Sequence, residues 1–276
     1  MAAGLHGRGL HREVSKLMNI VVLVKQVPDT WSERKLRADD ATLDRDAADA
    51  VINELDDYAI EEGLRLQEAV GGEVTIVSMG PEKAAEAIRK ALSMGADKAV
   101  HVCDPALRGS DGLVTSAVMA TVLGHTGFDL VILGSESTDA RMGTLAAMLA
   151  ERLGVPQMSF ASKVETDGSK ISIHRQADYG YDTVEATLPA VVSVVEKINE
   201  PRYPSFKGIM AAKKKPVETL TLADLGIDAS QAGLAASATE VVSFAARPPR
   251  AAGVIVTDEG DGGVKAAEFL AARKFI

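Results

Sequence analysis

A loop near the middle of the chain carries residue types that could bind a phosphate or another anion. It lies in the segment DLVILGSESTDARMGT, residues 129–144, directly after an apolar run. Gly134 lets the backbone turn tightly, and Ser135, Ser137 and Thr138 offer hydroxyl groups to phosphate oxygens. The start of the following helix adds backbone N–H groups that have no partner within the helix. The spacing matches neither GxGxxG nor GxxxxGKS/T, so an ordinary strand–helix connection stays the alternative.

Two charged residues in this loop point toward a nucleotide. The carboxylate of Asp139 can accept hydrogen bonds from ribose hydroxyls or backbone N–H groups, and the guanidinium of Arg141 can pair with a phosphate. Together with the hydroxyls, these residues predict a nucleotide-binding loop at the carboxyl end of a strand.

The other polar residues do not form a recognisable catalytic motif. The sequence lacks HExxH, GxSxG and protein-kinase signatures, and its five histidines show no metal-ligand spacing. The acid pairs at positions 39–40, 56–57 and 61–62 are expected to be solvated charges. We therefore interpret the chain as a binding protein rather than an enzyme with its own catalytic residues.

Composition and charge argue against a nucleic-acid-binding protein and against a membrane-spanning protein. The net charge of −9 argues against nucleic-acid binding, which needs a basic face. No apolar run approaches the roughly 20 residues that a membrane span requires. Residues 1–17 are basic but lack an apolar signal core, so we expect a disordered leader, or a natural start at Met18. A cytoplasmic location then follows by default.

The elements that must position the loop follow a regular alternation. Strand-like apolar runs are each followed by an amphipathic helical pattern, and this order predicts a doubly wound, mostly parallel α/β sheet with helices on both faces. In such Rossmann-like sheets, ligands bind at the carboxyl ends of the strands. The four predicted pairs are strand 19–25 with helix 54–70, strand 74–79 with helix 82–94, strand 98–103 with helix 113–125, and strand 129–133 with helix 143–153.

The pattern changes after Pro156. A hairpin around the turn at 166–169 and further strands at 184–187 and 190–195 are expected to add antiparallel strands to the same sheet. From residue 199 the chain is rich in Pro, Gly and Lys and has little periodicity, which is typical of a functional or partner-binding arm. Short helices are expected at 222–225 and 264–273. We therefore predict a nucleotide-binding α/β domain over 18–198 and an extended C-terminal arm over 199–276 that packs on a partner subunit.

Five segments, in order, resemble the beta subunit family of electron-transfer flavoproteins. Together with the arm beyond them, they cover nearly all of residues 18–276. The segments are NIVVLVKQVPD (19–29), GPEKAAEAIRKALSMGADKAVHV (80–102), LVILGSESTDARMG (130–143), HRQADYGYDTVEATLPAVVS (174–193) and NEPRYPSFKGIMAAKKK (199–215).

The resemblance implies an electron-carrier subunit that forms a heterodimer with an alpha subunit. Such a subunit completes an FAD site held mainly by alpha and binds an AMP of its own. Electrons arrive from acyl-CoA dehydrogenases and related enzymes, as in fatty acid oxidation, and pass toward a membrane quinone oxidoreductase of the respiratory chain. In bifurcating relatives a second FAD takes the place of AMP. A stand-alone ATP-binding module is the alternative from another class.

The resemblance also implies which residues form the sites. Leu55 and Thr30 would face the flavin ring, and Phe206 would be the apolar anchor of a recognition segment, residues 201–210, that docks dehydrogenases. The cofactor-binding residues would be Leu23, Asn53, Glu54, Leu55, Asp56, Met79, Gly134, Ser137, Thr138, Asp139, Ala140, Arg141, Met142, Gly143 and Thr144. The partner-docking residues would be Arg202, Tyr203, Phe206, Ile209 and Met210.

Overall fold

The structure, a computed structural model, describes residues 17–250, 253 and 255–276. The leader expected at residues 1–17 therefore lies outside the described residues, apart from Leu17. The contacts within the chain divide it into two units, Met1–Glu240 and Val241–Ile276. Among the described residues, no helix has the length and apolar character that a membrane crossing requires.

The first half of the chain alternates strands and helices, as predicted. The elements are β1 (Met18–Leu23), the short strands β2 (Gln26–Pro28) and β3 (Ala50–Ile52), α1 (Glu54–Val70), β4 (Gly72–Met79), α2 (Ala85–Met94), β5 (Lys98–Val102), α3 (Gly112–Thr126), β6 (Leu130–Gly134) and α4 (Leu145–Leu153). Single 3-10 turns at Glu82–Ala84 and Pro105–Leu107 precede α2 and α3.

The second half adds more strands and shorter helices. These are β7 (Gln157–Thr166), β8 (Lys170–Ala177), β9 (Gly180–Thr187), β10 (Ala190–Val194), α5 (Phe206–Ala212), β11 (Val217–Leu220), a 3-10 turn at Ala229–Gln231, α6 (Gly233–Ala236) and α7 (Gly262–Ala272).

The main sheet has nine strands in the order β11-β5-β4-β1-β6-β10-β7-β8-β9. Its strands pair in parallel from β11 to β7, and β1 lies between β4 and β6. The central strands are nearly continuous apolar runs, because both faces of the sheet are covered. Helices α1 and α2 pack on one face and α3 and α4 on the other. This arrangement confirms the predicted α/β fold with a mostly parallel sheet.

The strand at Ala190–Val194 runs in the opposite sense to the predicted one. The sequence pattern predicted antiparallel additions, and β7, β8 and β9 are antiparallel to one another. Strand β10, however, lies between β6 and β7 and is parallel to both. All five of its residues are buried, and this apolar run suits an interior position better than an exposed edge.

Residues 199–240 also differ from the extended conformation expected for an arm. They form α5 and then β11, which pairs in parallel with β5 at one edge of the sheet. Leu222 and Ala232 are buried in the core beside this edge. The predicted helix at 222–225 is a turn instead. That residues 199–276 pack on a partner subunit stays a prediction.

The unit Val241–Ile276 contains one helix, α7, in its described residues. No residue of α7 is buried, and Val264, Phe269 and Leu270 are all exposed. The helix predicted at 264–273 is therefore present, with its apolar side chains in contact with solvent.

Candidate functional site

Three neighbouring strands end at one edge of the sheet, and the region around their ends is here called the crevice. Strands β4, β1 and β6 are adjacent and parallel, so Met79, Leu23 and Gly134 reach the same edge. The first turn of α1 and the loop 135–144, here called the crevice loop, complete the crevice. The sequence-predicted cofactor residues all belong to these strand ends, to this turn or to this loop.

Asn53 connects the crevice loop to α1. Its Oδ1 accepts a hydrogen bond from the backbone N–H of Thr138 at 3.0 Å, and its Nδ2 donates to the carbonyl of Glu136 at 3.0 Å and to Asp56 Oδ1 at 2.8 Å. Asn53 stands at the N-cap position of α1, and its side chain makes no capping hydrogen bond to the helix. Its hydrogen-bonding groups hold the crevice loop instead.

Asp56 is buried in the first turn of α1, beside Gly134. Its Oδ2 accepts a hydrogen bond from the backbone N–H of Lys25 at 2.7 Å. Burial raises the pKa of Asp56 to about 7, although the hydrogen bonds from Asn53 and Lys25 oppose this shift. A Cβ atom at Gly134 would lie only 2.7 Å from Asp56 Oδ1 and from the Cβ of Leu55. Glycine is therefore required where β6 passes the start of α1.

The expectation that the acid pairs are solvated charges is wrong for three residues. Asp56, Glu61 and Glu62 are each only 5% exposed. Buried carboxylates need compensating partners, and each of the three has one outside its own helix. Asp56 accepts from Lys25, Glu61 pairs with Arg202, and Glu62 accepts from Asn199.

Asp139 pairs with two cations that the sequence analysis did not assign to the site. Its Oδ1 lies 2.7 Å from Lys25 Nζ and its Oδ2 lies 3.3 Å from Arg45 Nη2, and its side chain is 2% exposed. Burial alone would raise the pKa of Asp139, but the charge and hydrogen bond of Lys25, a hydrogen bond from Ser137 and the charge of Arg45 together hold it below its usual value. Lys25 Nζ also donates to Ser137 Oγ. Both carboxylate oxygens of Asp139 are thus engaged by the protein.

The remaining part of the crevice loop offers groups that a ligand could use. The hydroxyl of Thr138 is buried and has no hydrogen-bond partner among the described residues. Thr144 does not cap α4 with its side chain, so the first N–H groups of α4 are left for other acceptors. Arg141 and Gly143 both adopt positive φ angles just before α4. Ala140, Arg141, Met142 and Thr144 are exposed.

The residues expected to face a flavin lie at the rim of the crevice. Leu55 is half-buried in the first turn of α1, directly against Gly134. Thr30 donates from its hydroxyl to the carboxylate of Glu54 at 3.1 Å, and Glu54 is exposed. This rim therefore presents one apolar and two polar side chains to solvent.

The predicted partner-docking residues lie on α5 and the loop before it. The exposed fractions are 96% for Tyr203, 81% for Phe206, 46% for Ile209 and 49% for Met210. Arg202 differs, because its guanidinium binds Glu61 and Glu68 on α1. The structure therefore leaves four of the five side chains free for a partner.

Comparison with known proteins adds an independent observation. A family model described as "Electron transfer flavoprotein domain" matches residues 40–225, more than half of the chain. The chain belongs to the electron transfer flavoprotein family. The "Electron transfer flavoprotein subunit beta" of Mycobacterium tuberculosis is 53% identical over 266 residues, which cover 94% of this chain and 100% of the relative. The protein of the same name from Mycobacterium leprae has the same identity and coverage.

A more distant electron transfer flavoprotein relative comes from Acetobacterium woodii. The "Caffeyl-CoA reductase-Etf complex subunit CarD" is 34% identical over 242 residues, which cover 87% of this chain and 92% of the relative. The resemblance to electron transfer flavoprotein beta subunits is therefore confirmed over almost the whole chain.

In this electron transfer flavoprotein subunit, the crevice is suited to holding an anionic ligand. Among the described residues, no group of three or more His, Cys, Asp or Glu side chains could hold a metal ion. The sequence analysis missed Lys25 and Arg45. Lys25 is the last residue of the predicted strand 19–25, and Arg45 lies between that strand and the predicted helix 54–70. Their partner, Asp139, lies 114 residues after Lys25 and 94 residues after Arg45, so only the tertiary fold brings these groups together.

Proposed function

We propose that the protein is the electron-carrier beta subunit of a heterodimer, holding AMP in the crevice and completing an FAD site from one side. Its partner would be the alpha subunit of the same flavoprotein. Electrons would come from acyl-CoA dehydrogenases and related enzymes and pass toward a quinone oxidoreductase. Family membership supports this proposal, and the crevice at Asn53, Thr138 and Arg141 is the observation that carries it.

The free groups of the crevice loop match the chemistry of AMP. A phosphate can accept from the uncapped N–H groups of α4 and can pair with the exposed Arg141. The buried Thr138 hydroxyl lacks a partner, and a ribose or phosphate oxygen could supply one. Lys25 and Arg45 neutralise Asp139, so this carboxylate adds little repulsion toward a phosphate. In this proposal Asp139 organises the loop and leaves ribose contacts to other groups.

The rim of the crevice would face the flavin held by the alpha subunit. FAD, when bound, supplies one- and two-electron chemistry. Leu55 would exclude water from that side of the ring, and the Thr30 hydroxyl, fixed by Glu54, would place a polar group at its edge. In this proposal the chain binds and orients the cofactors and contributes no catalytic residue of its own.

The recognition segment would dock the dehydrogenases. Phe206 projects as a mostly exposed apolar side chain, and Ile209 and Met210 lie beside it on α5. A few apolar anchors of this kind supply most of the affinity in many transient interfaces.

The test is electron acceptance by the heterodimer made with the alpha subunit. An acyl-CoA dehydrogenase reduced by its acyl-CoA should bleach the flavin absorbance of the heterodimer under anaerobic conditions. No bleaching with any of several acyl-CoA dehydrogenases of different chain-length preference would contradict the proposal.

Two alternatives remain for the same crevice. A second FAD could occupy the place of AMP, because the groups proposed to bind phosphate would contact the phosphate of either nucleotide in the same way. The relationship to a caffeyl-CoA reductase–Etf complex subunit keeps this alternative open. The second alternative is a stand-alone ATP-binding module. In that case the chain would bind ATP and would not associate with an alpha subunit.

A further inference from the structure

The recognition segment is held on the sheet domain by an arginine between two glutamates of α1. Arg202 donates from Nε to Glu61 Oε2 at 2.7 Å and from Nη2 to Glu61 Oε1 at 2.9 Å. It also donates from Nη1 to Glu68 Oε1 at 2.6 Å. The backbone N–H of Arg202 adds a bond to Glu61 Oε2 at 3.1 Å. We call these three side chains the Arg202 clamp.

The two glutamates differ in their surroundings. The Glu61 side chain is 7% exposed and that of Glu68 is 60% exposed. A buried carboxylate is costly unless it is paired, so Glu61 strongly favours the bound position of Arg202. Glu68 adds a second, solvent-facing contact that fixes the plane of the guanidinium.

Further contacts hold the chain on both sides of the clamp. Before it, Asn199 Nδ2 donates to the Tyr58 carbonyl and to Glu62 Oε2, each at 3.0 Å. After it, Lys215 Nζ donates to three carbonyls at the end of α2, those of Leu92, Gly95 and Ala96. The recognition segment is thus fastened at both ends to α1 and α2.

Helix α5, between these anchors, needs contacts with the rest of the domain to hold its orientation. It has seven residues, and isolated helices of this length are unstable in water. It lies against the domain at Gly208, where a Cβ atom would overlap the Ser93 carbonyl oxygen, and at Ala212, which is buried. The direction in which Phe206 projects therefore depends on this packing together with the anchors.

We propose that Arg202 is a positioning residue for partner docking, which holds the recognition segment in its binding-competent orientation through Glu61 and Glu68. This inference rests on the proposed docking function. Sequence resemblance placed Arg202 among the residues that contact the partner, whereas the structure assigns its guanidinium to α1. Without this preorganisation, the segment would have to become ordered when the partner binds, and the entropy cost of that ordering would weaken binding.

The test compares variants of the heterodimer in the assay with a reduced acyl-CoA dehydrogenase. Arg202→Met should raise the KM for the heterodimer about tenfold with kcat nearly unchanged, because the segment must be ordered on binding. Arg202→Lys should restore only part of the affinity. The ammonium group keeps the positive charge but lacks the planar fork that matches two carboxylates. Hydrogen exchange of the amides of residues 203–210 should become faster in Arg202→Met.

A matched control and a milder variant keep the test decisive. Arg152→Met also removes a guanidinium that joins two elements, through Ser116 Oγ and the Leu113 carbonyl. It should change neither the KM nor the exchange at 203–210. If Arg202→Met does not fold, Glu68→Gln removes only the exposed half of the clamp and should raise the KM about two- to threefold.

The outcomes separate this inference from the docking proposal. An unchanged KM and unchanged exchange in Arg202→Met, or an equal rise of the KM in Arg152→Met, would overturn the positioning role. Phe206→Ala tests docking itself and should raise the KM without altering exchange. If Phe206→Ala leaves the KM unchanged, the docking function fails, and the exchange data still decide whether Arg202 orders the segment.

Discussion

Asn53 and Thr138 lie 85 residues apart, and the side-chain oxygen of Asn53 accepts a hydrogen bond from the Thr138 backbone N–H at 3.0 Å. The Asn53 amide nitrogen donates to the Glu136 carbonyl from the same side. One side chain, 1% exposed, thus satisfies both a donor and an acceptor of the crevice loop. The loop conformation that would bind a nucleotide therefore depends on a residue at the start of α1.

Asn53→Ala should loosen the crevice loop and reduce AMP occupancy. The substitution leaves the Thr138 N–H and the Glu136 carbonyl without their partner, and each buried group left unsatisfied costs about 1–3 kcal/mol. AMP released from the purified heterodimer should fall to a minor fraction of the wild-type amount, while FAD stays at its wild-type level. Full AMP occupancy in this variant would show that Asn53 does not shape the site.

Gly134→Ala should destabilise the fold at the junction of β6 and α1. The added Cβ would lie 2.7 Å from Asp56 Oδ1 and 3.0 Å from a Leu55 backbone atom, and such overpacking typically costs about 1–3 kcal/mol. The measurement is the free energy of unfolding in urea. Gly124→Ala in α3 is the matched control, since nothing lies within 4 Å of its Cβ position. It should stabilise by up to about 1 kcal/mol, and equal effects of the two substitutions would contradict the close approach.

Asp56 should make stability fall as pH rises across the weakly acidic range. Its pKa increases from 3.8 to about 7 on folding. Between these values the unfolded chain has released the proton and the folded chain retains it, so the free energy of unfolding decreases with increasing pH. The neighbouring charges that act on this carboxyl are Lys25 and Asp57.

Asp56→Asn should remove this contribution, because the amide does not titrate. Relative to the wild type, the variant should gain stability between pH 4 and 7, by roughly 3 kcal/mol in total. Urea unfolding of both proteins at several pH values measures the difference. A stability difference that does not change with pH would mean that Asp56 ionises in the folded protein as it does in the unfolded chain.

The sequence predicted the local elements more successfully than the long-range contacts. Helix α1 spans Glu54–Val70, as its apolar spacing and the glycines after it indicate. The direction of β10 was not predictable from its pattern, because a short apolar run suits either sense of pairing. The burial of Glu61 was also missed, since its partner Arg202 lies 141 residues away. A carboxylate on a helix otherwise looks like surface charge.

Removing residues 241–276 should abolish or strongly weaken heterodimer formation. The exposed apolar side chains of α7 fit the proposal that this unit packs on the alpha subunit. All strands of the nine-stranded sheet lie before Val241, so the circular dichroism of the truncated chain should retain the strand content and most of the helix content. Co-elution of the truncated chain with the alpha subunit on a sizing column, at the wild-type concentration, would contradict this role.

The nucleotide content of the heterodimer tests the central claim most directly. Nucleotides are released by heat from the protein co-purified with its alpha subunit, separated by chromatography and quantified against the protein. We expect one FAD and one AMP per heterodimer, with AMP reduced and FAD unchanged in Asn53→Ala. Two FAD and no AMP, or AMP that is insensitive to Asn53→Ala, would contradict the assignment of AMP to the crevice.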